Sequence, residues 1–463
     1  MITTHNLGYP RIGKHRELKN ACERYWSGQA TLDDLVAAGK SLRNAHWQAQ
    51  REAGIDLIPC NDFSFYDHVL DMTLVLGAVP PRYAPLAGRS ELELYFAMAR
   101  GYQKDGLDLV AMEMTKWFDT NYHYIVPEFS KEQAFALRSL KAVEEFQEAR
   151  ALGIIAKPVL IGPVSYLLLG KEKQDGFHRL RLLDRLLPVY AELLRKIGEA
   201  GAEYVQIDEP CLVLNLDETA RSAYRTAFTY LKDTVPKIKF LLATYFEGLR
   251  DNTALAVSLP VYALHLDLVR APEQLDDVLA TAPDGLMLSL GVVDGRNIWK
   301  NDFSRSLELI GKAVEKIGTE QVMVAPSCSL LHVPYDLMLE TDDAVLPANV
   351  KNWLAFARQK LDEVKTIADL AAPDTHSQYS ARLVENIVAI ESRRTSKSVH
   401  RPEIKARVKA VTPADLRRAS SFPERRQKQR DVLKLPLFPT TTIGSFPQTA
   451  EIRTLRMQLR RGE

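Results

Sequence analysis

The stretch HRLRLLDRLLPVYAELLRKIGEAGAEYVQIDEP (178–210) contains a helix pattern that leads directly into a strand pattern. Its helical part carries an apolar stripe among charged positions, formed by Leu180, Leu183, Leu187, Leu193 and Leu194. This spacing is that of an amphipathic helix, and the short apolar run YVQIDEP (204–210) is typical of a buried strand. A helix followed by a buried strand is the unit of a parallel sheet with helices on its outer face.

Eight apolar runs of this strand type occur along the chain. They begin near residues 6, 55, 158, 204, 240, 262, 286 and 322 and read NLGYP, IDLIPC, PVLIGPV, YVQIDEP, FLLATYF, YALHLDL, LMLSLGVV and VMVAPSC. Helical patterns separate most of them, so an α/β fold is predicted, a (β/α)8 TIM barrel over residues 1–371. A doubly wound open sheet is the alternative, but it favours a Gly-rich phosphate fingerprint, and GYPRIG (8–13) is not GxGxxG.

Two further segments lie outside this regular pattern. The insertion LVAMEMTKWFDTNYHYIVPEF (109–129) has two apolar arms around polar DTN, which predicts a hairpin between the second and third strands. Residues 372–432 lack strand signals and predict a basic helical linker, with 11 Lys and Arg against 4 Asp and Glu between positions 396 and 431. Phe422 is the one aromatic residue among these charges, whereas a nucleic-acid arm interleaves several, so a solvated linker is the preferred interpretation.

The end of the sequence repeats a pattern from its beginning. LGYP (7–10) corresponds to IGSFP (443–447), and an arginine follows six residues after each proline, at Arg16 and Arg453. Self-similarity at a long period indicates a duplicated unit. Residues 433–463 are therefore predicted to be the first strand and helix of a second, truncated barrel. A chance resemblance between two strand–Gly–Pro–helix segments is the alternative.

Composition limits the functional classes. The chain is 46% hydrophobic and 26% charged, with a net charge of +1, which gives no general attraction to nucleic acid or membrane. No apolar run reaches 18 residues, and the first residues lack an apolar signal core, so a cytoplasmic location is predicted. The four cysteines lie far apart without a CxxC pair, which argues against a disulfide framework or a compact zinc module.

Residues at predicted strand ends are the candidates for chemistry, because the βα loops form the open face of such barrels. They are Arg11, Asn61, Asp62, Gly162, Asp208, Glu209, Tyr245, His265, Asp267, Asn297, Ser327 and Cys328. Neighbours on a strand point to opposite faces, so at most one of Asp208 and Glu209 can enter a pocket. A single thiolate and a single imidazole at comparable strand ends make an incomplete zinc site.

Basic residues indicate the kind of ligand more clearly than the strand-end residues do. Arg16 and Lys19 share one face of the first predicted helix, and Lys116 lies in the hairpin beside Trp117 and Phe118. Cations that converge on an open barrel face suit a ligand with several carboxylates. Three solvated surface cations are the alternative.

Six motifs along the chain read LGYPRIGKHRELKNA (7–21), EMTKWFDTNYHYIVPEF (113–129), LIGPVSYLLLGK (160–171), QIDEPCLVL (206–214), SCSLLHVP (327–334) and FPTTTIGSFPQTAEIRTLR (438–456). Together they resemble the cobalamin-independent methionine synthase family. The resemblance implies two (β/α)8 barrels joined by a linker. It also implies zinc-dependent methyl transfer from 5-methyltetrahydropteroyltri-L-glutamate to L-homocysteine, giving L-methionine.

The resemblance also implies site residues. Folate-binding positions fall on Arg16, Glu17, Leu18, Lys19 and Lys116, and homocysteine-binding positions fall on Ile443, Gly444 and Ser445. The family's zinc ligands and general-acid histidine belong to the second barrel, beyond residue 463. The resemblance therefore implies no metal site and no catalytic residue on this chain, which would need the C-terminal barrel for activity.

The segments of the first barrel that correspond to the zinc-binding segments of the second barrel lack most of the zinc ligands. ATYFEG (243–248) replaces a His-x-Cys pair, and Cys328 stands alone where the last zinc cysteine would be. Two other hypotheses stay open: a folate-polyglutamate-binding module without catalysis, and a different barrel enzyme that uses Asp208, His265 and Cys328.

Overall fold

The computed structural model of the chain describes residues 2–442, 444, 446 and 448–463. These residues form two units, one ending at Arg394 and the other starting at Thr395. The predicted linker begins at residue 372, whereas the first unit continues through most of helix His376–Thr395. Asn386 explains the later boundary, because its side chain accepts a hydrogen bond from the Phe303 N–H at 3.0 Å and donates one to the Asn301 carbonyl at 2.8 Å.

Eight parallel strands form the core of the first unit. They are β1 Thr3–Thr4, β2 Ile58–Cys60, β3 Ala156–Ile161, β4 Tyr204–Asp208, β5 Lys239–Ala243, β6 Ala263–Asp267, β7 Met287–Val293 and β8 Val322–Pro326. Their order in the sheet is β1-β8-β7-β6-β5-β4-β3-β2. A parallel bridge between His5 and Leu57 joins the two edges, and the Leu57 N–H donates to the Thr4 carbonyl at 3.0 Å. The sheet therefore curls until its edges meet, and this sequential order excludes the doubly wound alternative.

The predicted first strand is wrong in position. NLGYP lies in a loop, and the strand is Thr3–Thr4, which pairs with Met323 and Val324 of β8. Pairing within the sheet, rather than the apolar run, sets the bounds of such a short strand. The Asn6 carbonyl instead accepts a hydrogen bond from the buried Lys157 ammonium at 2.8 Å.

Helices cover the sheet along the whole first unit. Their bounds are Glu17–Trp26, Leu32–Glu52, His68–Val75, Glu91–Arg100, Lys141–Ala151, Pro163–Leu169, Leu183–Glu199, Glu218–Thr234, Thr253–Ser258, Gln274–Thr281, Phe303–Ile317, Ala348–Lys351, Ala357–Ala371 and His376–Thr395. The leucine stripe predicted on helix Leu183–Glu199 and the turn before it is buried against this core.

Three short strand pairs lie outside the eight-stranded sheet. The predicted hairpin is confirmed: Met114–Lys116 pairs antiparallel with His123–Ile125, with Lys116 opposite His123. A second antiparallel pair joins Tyr102–Lys104 to Leu107–Leu109, and a parallel pair joins Glu128–Phe129 to Lys171–Glu172.

The second unit contains the helices Pro402–Lys409, Phe422–Leu433 and Ala450–Arg461. The described residues between positions 434 and 449 form no strand, so the start of a second barrel stays a prediction. Within the described ranges, no helix combines the length and apolar character needed to cross a membrane.

Candidate functional site

A cavity of about 50 Å³ lies where the carboxyl ends of the barrel strands converge. This is the end at which (β/α)8 proteins carry their active sites. We call it the mouth cavity. Its walls combine polar and apolar side chains, including Asp62, His68, Trp117, Asp208, Tyr245 and His332.

Asp208 ends β4 and faces the mouth cavity. The Gln206 side-chain amide donates to its Oδ1 at 2.7 Å, and the Tyr245 hydroxyl donates to its Oδ2 at 3.0 Å. Burial raises the pKa of Asp208 to about 6, although these two donors favour its ionised form. The carboxylate is thus held in a fixed orientation toward the cavity.

Glu209, the next residue, points away from the cavity. The backbone N–H groups of Val164 and Ser165 donate to its carboxylate at 3.2 and 2.7 Å, at the start of helix Pro163–Leu169. Burial raises the pKa of Glu209 to about 7. The prediction that only one of the two neighbouring carboxylates enters a pocket is therefore confirmed, and Glu209 has a structural role.

A second carboxylate of the mouth cavity, Asp62, follows β2. The Tyr9 N–H donates to Asp62 Oδ2 at 2.9 Å, and burial raises the pKa of Asp62 to about 6. Lys157 is fully buried in the barrel interior, where burial lowers its pKa to about 8. The charges of Asp208 and Asp62 act in the opposite direction and favour the ammonium form.

The hairpin is fixed to the mouth by a polar cluster. The Tyr122 hydroxyl donates to Asp67 Oδ1 at 2.8 Å and lies 3.1 Å from His68 Nδ1. The Arg11 guanidinium lies 5.0 Å from the centroid of the Tyr122 ring. Arg11 is only 6% exposed, and its Nη1 has no hydrogen-bond partner among the described atoms.

The tip of the hairpin is tied to two βα loops. Asp119 accepts from Arg270 Nη2 at 2.6 Å and from Arg296 Nη1 at 2.7 Å. Trp117, on the same hairpin, is buried and lines the mouth cavity. The hairpin thus contributes a wall of the cavity while its tip stays anchored.

The predicted folate residues 16–19 lie together at the start of helix Glu17–Trp26. Arg16 occupies the N-cap position with φ 63° and makes no side-chain capping bond. Leu18 is buried in an apolar cluster and anchors the turn, whereas Arg16 and Lys19 are exposed. Glu17 is used locally, because its carboxylate accepts a hydrogen bond from the His15 N–H at 2.8 Å.

Lys116 lies elsewhere, exposed at the end of its hairpin strand. It lines a second cavity together with His178 and Arg179, and residues 16–19 are not among the residues of that wall. Among the predicted homocysteine positions, Gly444 is exposed in the second unit. Ile443 and Ser445 lie outside the described residues.

The remaining candidates do not form a site. Both ring nitrogens of the fully buried His265 are engaged, with the Ser289 hydroxyl at 2.7 Å and the Ser327 carbonyl at 3.2 Å. Cys328 is also fully buried, and burial raises the pKa of its thiol. Neither residue lines the mouth cavity with Asp208, so the structure does not support a different enzyme built on these three residues.

The described residues do not fit a zinc ion. No group of three or more His, Cys, Asp or Glu side chains is arranged there to hold a metal. Zinc needs three or four converging ligands, and Cys328 offers a single protonated thiol.

Sequence reasoning identified Asn61, Asp62, Asp208 and Tyr245 as strand-end residues of the mouth cavity but missed other residues of its wall. His68 begins helix His68–Val75 and His332 ends a short 3-10 turn, both several residues beyond the strand ends. Only the folding of these loops over the barrel brings them to the cavity.

Comparisons with known proteins identify related sequences. Residues 3–318 match the family profile described as "Cobalamin-independent synthase, N-terminal domain", and residues 438–463 match "Cobalamin-independent synthase, Catalytic domain". The chain is 56% identical over 465 residues to a 5-methyltetrahydropteroyltriglutamate–homocysteine methyltransferase of Flavobacterium johnsoniae. It is 55% identical over 468 residues to one of Cytophaga hutchinsonii. The chain is covered completely in both cases but spans only 60% of the length of these relatives.

A solved structure from Listeria monocytogenes, described as a vitamin-B12 independent methionine synthase, has a similar fold. Its TM-score is 0.52 at 14% identity, over 80% of this chain and 98% of that chain. At this identity the likeness supports the fold alone.

Proposed function

Since this chain belongs to the cobalamin-independent methionine synthase family, we propose that it is the folate-tail-binding part of a 5-methyltetrahydropteroyltriglutamate–homocysteine methyltransferase. In this proposal the complete protein transfers the methyl group of 5-methyltetrahydropteroyltri-L-glutamate to L-homocysteine. The observation that carries it is the identity of 56% to a relative with that name, over the whole of this chain.

The start of helix Glu17–Trp26 supports a role in binding the triglutamate tail. Arg16 and Lys19 extend into solvent from a turn that Leu18 fixes in the apolar cluster. A helix N-terminus without a side-chain cap also favours anions, because its first N–H groups and dipole are positive. The tail of a folate triglutamate is a string of carboxylates, which these charges match.

Lys116 is assigned to the same ligand by family resemblance. It lies on the hairpin whose Tyr122 contacts Arg11, and Arg11 precedes the folate helix in the chain. A flexible polyglutamate can contact cations on two elements, so we include Lys116 as a more distant contact. Ile443, Gly444 and Ser445 are assigned to homocysteine in the same way.

By family resemblance, zinc and the general acid are assigned to a C-terminal barrel, outside residues 1–463. When bound, zinc lowers the pKa of a thiol and so supplies the thiolate nucleophile. The described residues of this chain offer no such ligand set. The role of this chain in the reaction is therefore to bind and orient the folate tail.

Charge variants test this assignment. Arg16→Ala and Lys19→Ala are each expected to weaken binding of 5-methyltetrahydropteroyltri-L-glutamate by about tenfold in calorimetric titration, because each removes one charge-assisted contact. Arg24→Ala, which removes an exposed charge from the last turn of the same helix, is the matched control. Unchanged affinity in both variants would remove residues 16–19 from the site.

A folate-polyglutamate-binding module without catalysis is the second candidate. The absence of a three-ligand cluster among the described residues favours it for the isolated 463-residue chain. We expect the isolated chain to bind the folate but to form no L-methionine from L-homocysteine and to hold less than one zinc per chain. Steady methionine formation, or one tightly held zinc per chain, would contradict this.

A further inference from the structure

The hairpin of residues 109–129 crosses the open end of the barrel. Asp67, which follows β2, accepts a hydrogen bond from the Ile125 N–H of the hairpin at 2.9 Å. The Tyr124 hydroxyl donates to the carbonyl of Leu169, which follows β3, at 3.0 Å. The tip of the hairpin contacts the loops after β5, β6 and β7, on the opposite side of the closed sheet. The hairpin is therefore anchored on both sides of the barrel mouth.

Asp119 makes the polar contacts of the tip. Its Oδ2 accepts a hydrogen bond from Arg270 Nη2 at 2.6 Å, and its Oδ1 accepts one from Arg296 Nη1 at 2.7 Å. Its carbonyl accepts a further bond from Arg296 Nη2 at 3.1 Å. The arginines lie on fixed backbone, because the Arg270 N–H donates to Asp267 at 3.0 Å and the N–H of Arg296 donates to Asp294 at 2.8 Å. A single exposed ion pair contributes little, whereas Asp119 uses three acceptor oxygens on two ordered partners.

Phe246, in the loop after β5, is the aromatic contact of the tip. The Phe118 ring lies 5.6 Å from the ring of Phe246, and the Arg296 guanidinium lies 5.0 Å from the same ring. The backbone of Phe246 has φ 79°, a conformation that is costly for a bulky side chain. Its N–H donates to Asp267 at 3.0 Å, and its carbonyl accepts from Arg270 Nε at 3.3 Å. The two arginines of the tip therefore also contact the strained residue against which the tip packs.

Adjacent residues of the hairpin line two different cavities. Trp117 is 2% exposed and lines the mouth cavity, whose volume of about 50 Å³ leaves room for no more than a few water molecules. Lys116 is exposed and lines the second cavity, of about 420 Å³, together with Phe118, His178 and Arg179. With the hairpin in this position, a folate tail does not fit the mouth cavity but fits the second cavity.

We propose that Asp119 is a positioning residue. Its pairs with Arg270 and Arg296 hold the hairpin across the mouth and so keep Lys116 in the wall of the second cavity, where Lys116 contacts the folate tail. This inference rests on the proposed function, in which Lys116 binds that tail. Asp119 lines neither cavity. Its two arginine partners also neutralise a carboxylate that would otherwise repel the carboxylates of the ligand.

Hydrogen exchange followed by mass spectrometry tests the anchoring without any ligand. Asp119→Asn keeps the shape of the side chain but removes its charge, so peptides covering residues 114–125 are expected to exchange several-fold faster than in the wild type. Peptides from helix Leu183–Glu199 should not change. Asp276→Asn, at an exposed carboxylate paired with Lys312, is the matched control. Equal exchange of the hairpin in the wild type and in Asp119→Asn would overturn the proposal.

Calorimetric titration with 5-methyltetrahydropteroyltri-L-glutamate tests the effect on the ligand. Lys116→Ala is expected to weaken binding about fivefold, because it removes a charge-assisted contact. Asp119→Asn is expected to weaken it about threefold, because the same contact is displaced. The double variant should bind as Lys116→Ala does, since Asp119 acts through Lys116. Full affinity in Asp119→Asn beside weakened binding in Lys116→Ala, or losses that add in the double variant, would overturn the positioning role.

Failure of the folate assignment gives a different result. If Lys116→Ala binds the triglutamate as tightly as the wild type, the assignment of Lys116 to folate fails, and the exchange experiment decides whether Asp119 holds the hairpin. Arg270→Gln, which removes one partner of Asp119, should also accelerate exchange of the hairpin. Faster exchange in helix Leu183–Glu199 as well would indicate a general loss of stability and would overturn the proposal.

Discussion

Replacing Glu209 with glutamine is expected to change how the stability of the chain depends on pH. Glu209 is fully buried, and its carboxylate accepts hydrogen bonds from the Val164 and Ser165 N–H groups. Burial nevertheless raises its pKa from 4.5 to about 7. A carboxyl group with a raised pKa in the folded state stabilises the protein below its unfolded pKa, and this contribution is lost as the pH rises through the folded value.

The magnitude follows from that pKa difference. Each pH unit between the two pKa values corresponds to about 1.36 kcal/mol, so the complete loss is about 3 kcal/mol. Between pH 5 and pH 8, the wild type should therefore lose about 2.5 kcal/mol of unfolding free energy relative to Glu209→Gln. Glutamine lacks the second acceptor oxygen and adds a constant cost, which does not alter this pH dependence.

Urea unfolding of both proteins at pH 5, 6, 7 and 8 measures the difference directly. The other buried acids titrate in both proteins and cancel in the comparison. Glu192→Gln, at an exposed position of helix Leu183–Glu199, is the control and should change little with pH. A difference that stays constant, or one that favours the wild type at high pH, would refute the reasoning. It would show that the helix N–H groups stabilise the ionised carboxylate at least as much as burial destabilises it.

Three other perturbations give separate tests. Gly162→Ala should lower the unfolding free energy in urea by more than about 1 kcal/mol, because the new methyl group would overlap the Glu209 carboxylate; an unchanged midpoint would contradict this. Thr31→Ala removes the hydroxyl that caps helix Leu32–Glu52 and should cost about 1 kcal/mol in the same assay, with Ser27→Ala as control. Burial lowers the pKa of His332 to about 4, so the unfolding free energy of the wild type should fall relative to that of His332→Gln as the pH falls from 6.5 to 4. Acid-unfolding curves of the two proteins that run parallel in circular dichroism would contradict this.

Strand positions could be predicted from the sequence wherever burial on both faces produced a continuous apolar run. YVQIDEP and VMVAPSC begin at the observed first residues of β4 and β8. The failure at β1 has a physical cause. Thr3 and Thr4 form a two-residue polar strand whose existence depends on pairing with β8, and no local pattern contains that information.

The candidate sites were predictable to different degrees. The alternation of side chains along β4 correctly limited the cavity to one of Asp208 and Glu209. The unpartnered Nη1 of Arg11 and the approach of His332 depend on loops that meet only in the folded barrel. The assignment of Arg16 and its neighbours to folate comes from family resemblance, with the exposed cations as physical support.

The central proposal is that this chain recognises the polyglutamate tail of 5-methyltetrahydropteroyltri-L-glutamate. Calorimetric titration of the 463-residue chain with 5-methyltetrahydrofolate carrying either one or three glutamates tests it most directly. We predict at least about tenfold tighter binding of the triglutamate, with an advantage that shrinks as salt screens the exposed cations. Equal affinity for the two forms at low salt would contradict the claim.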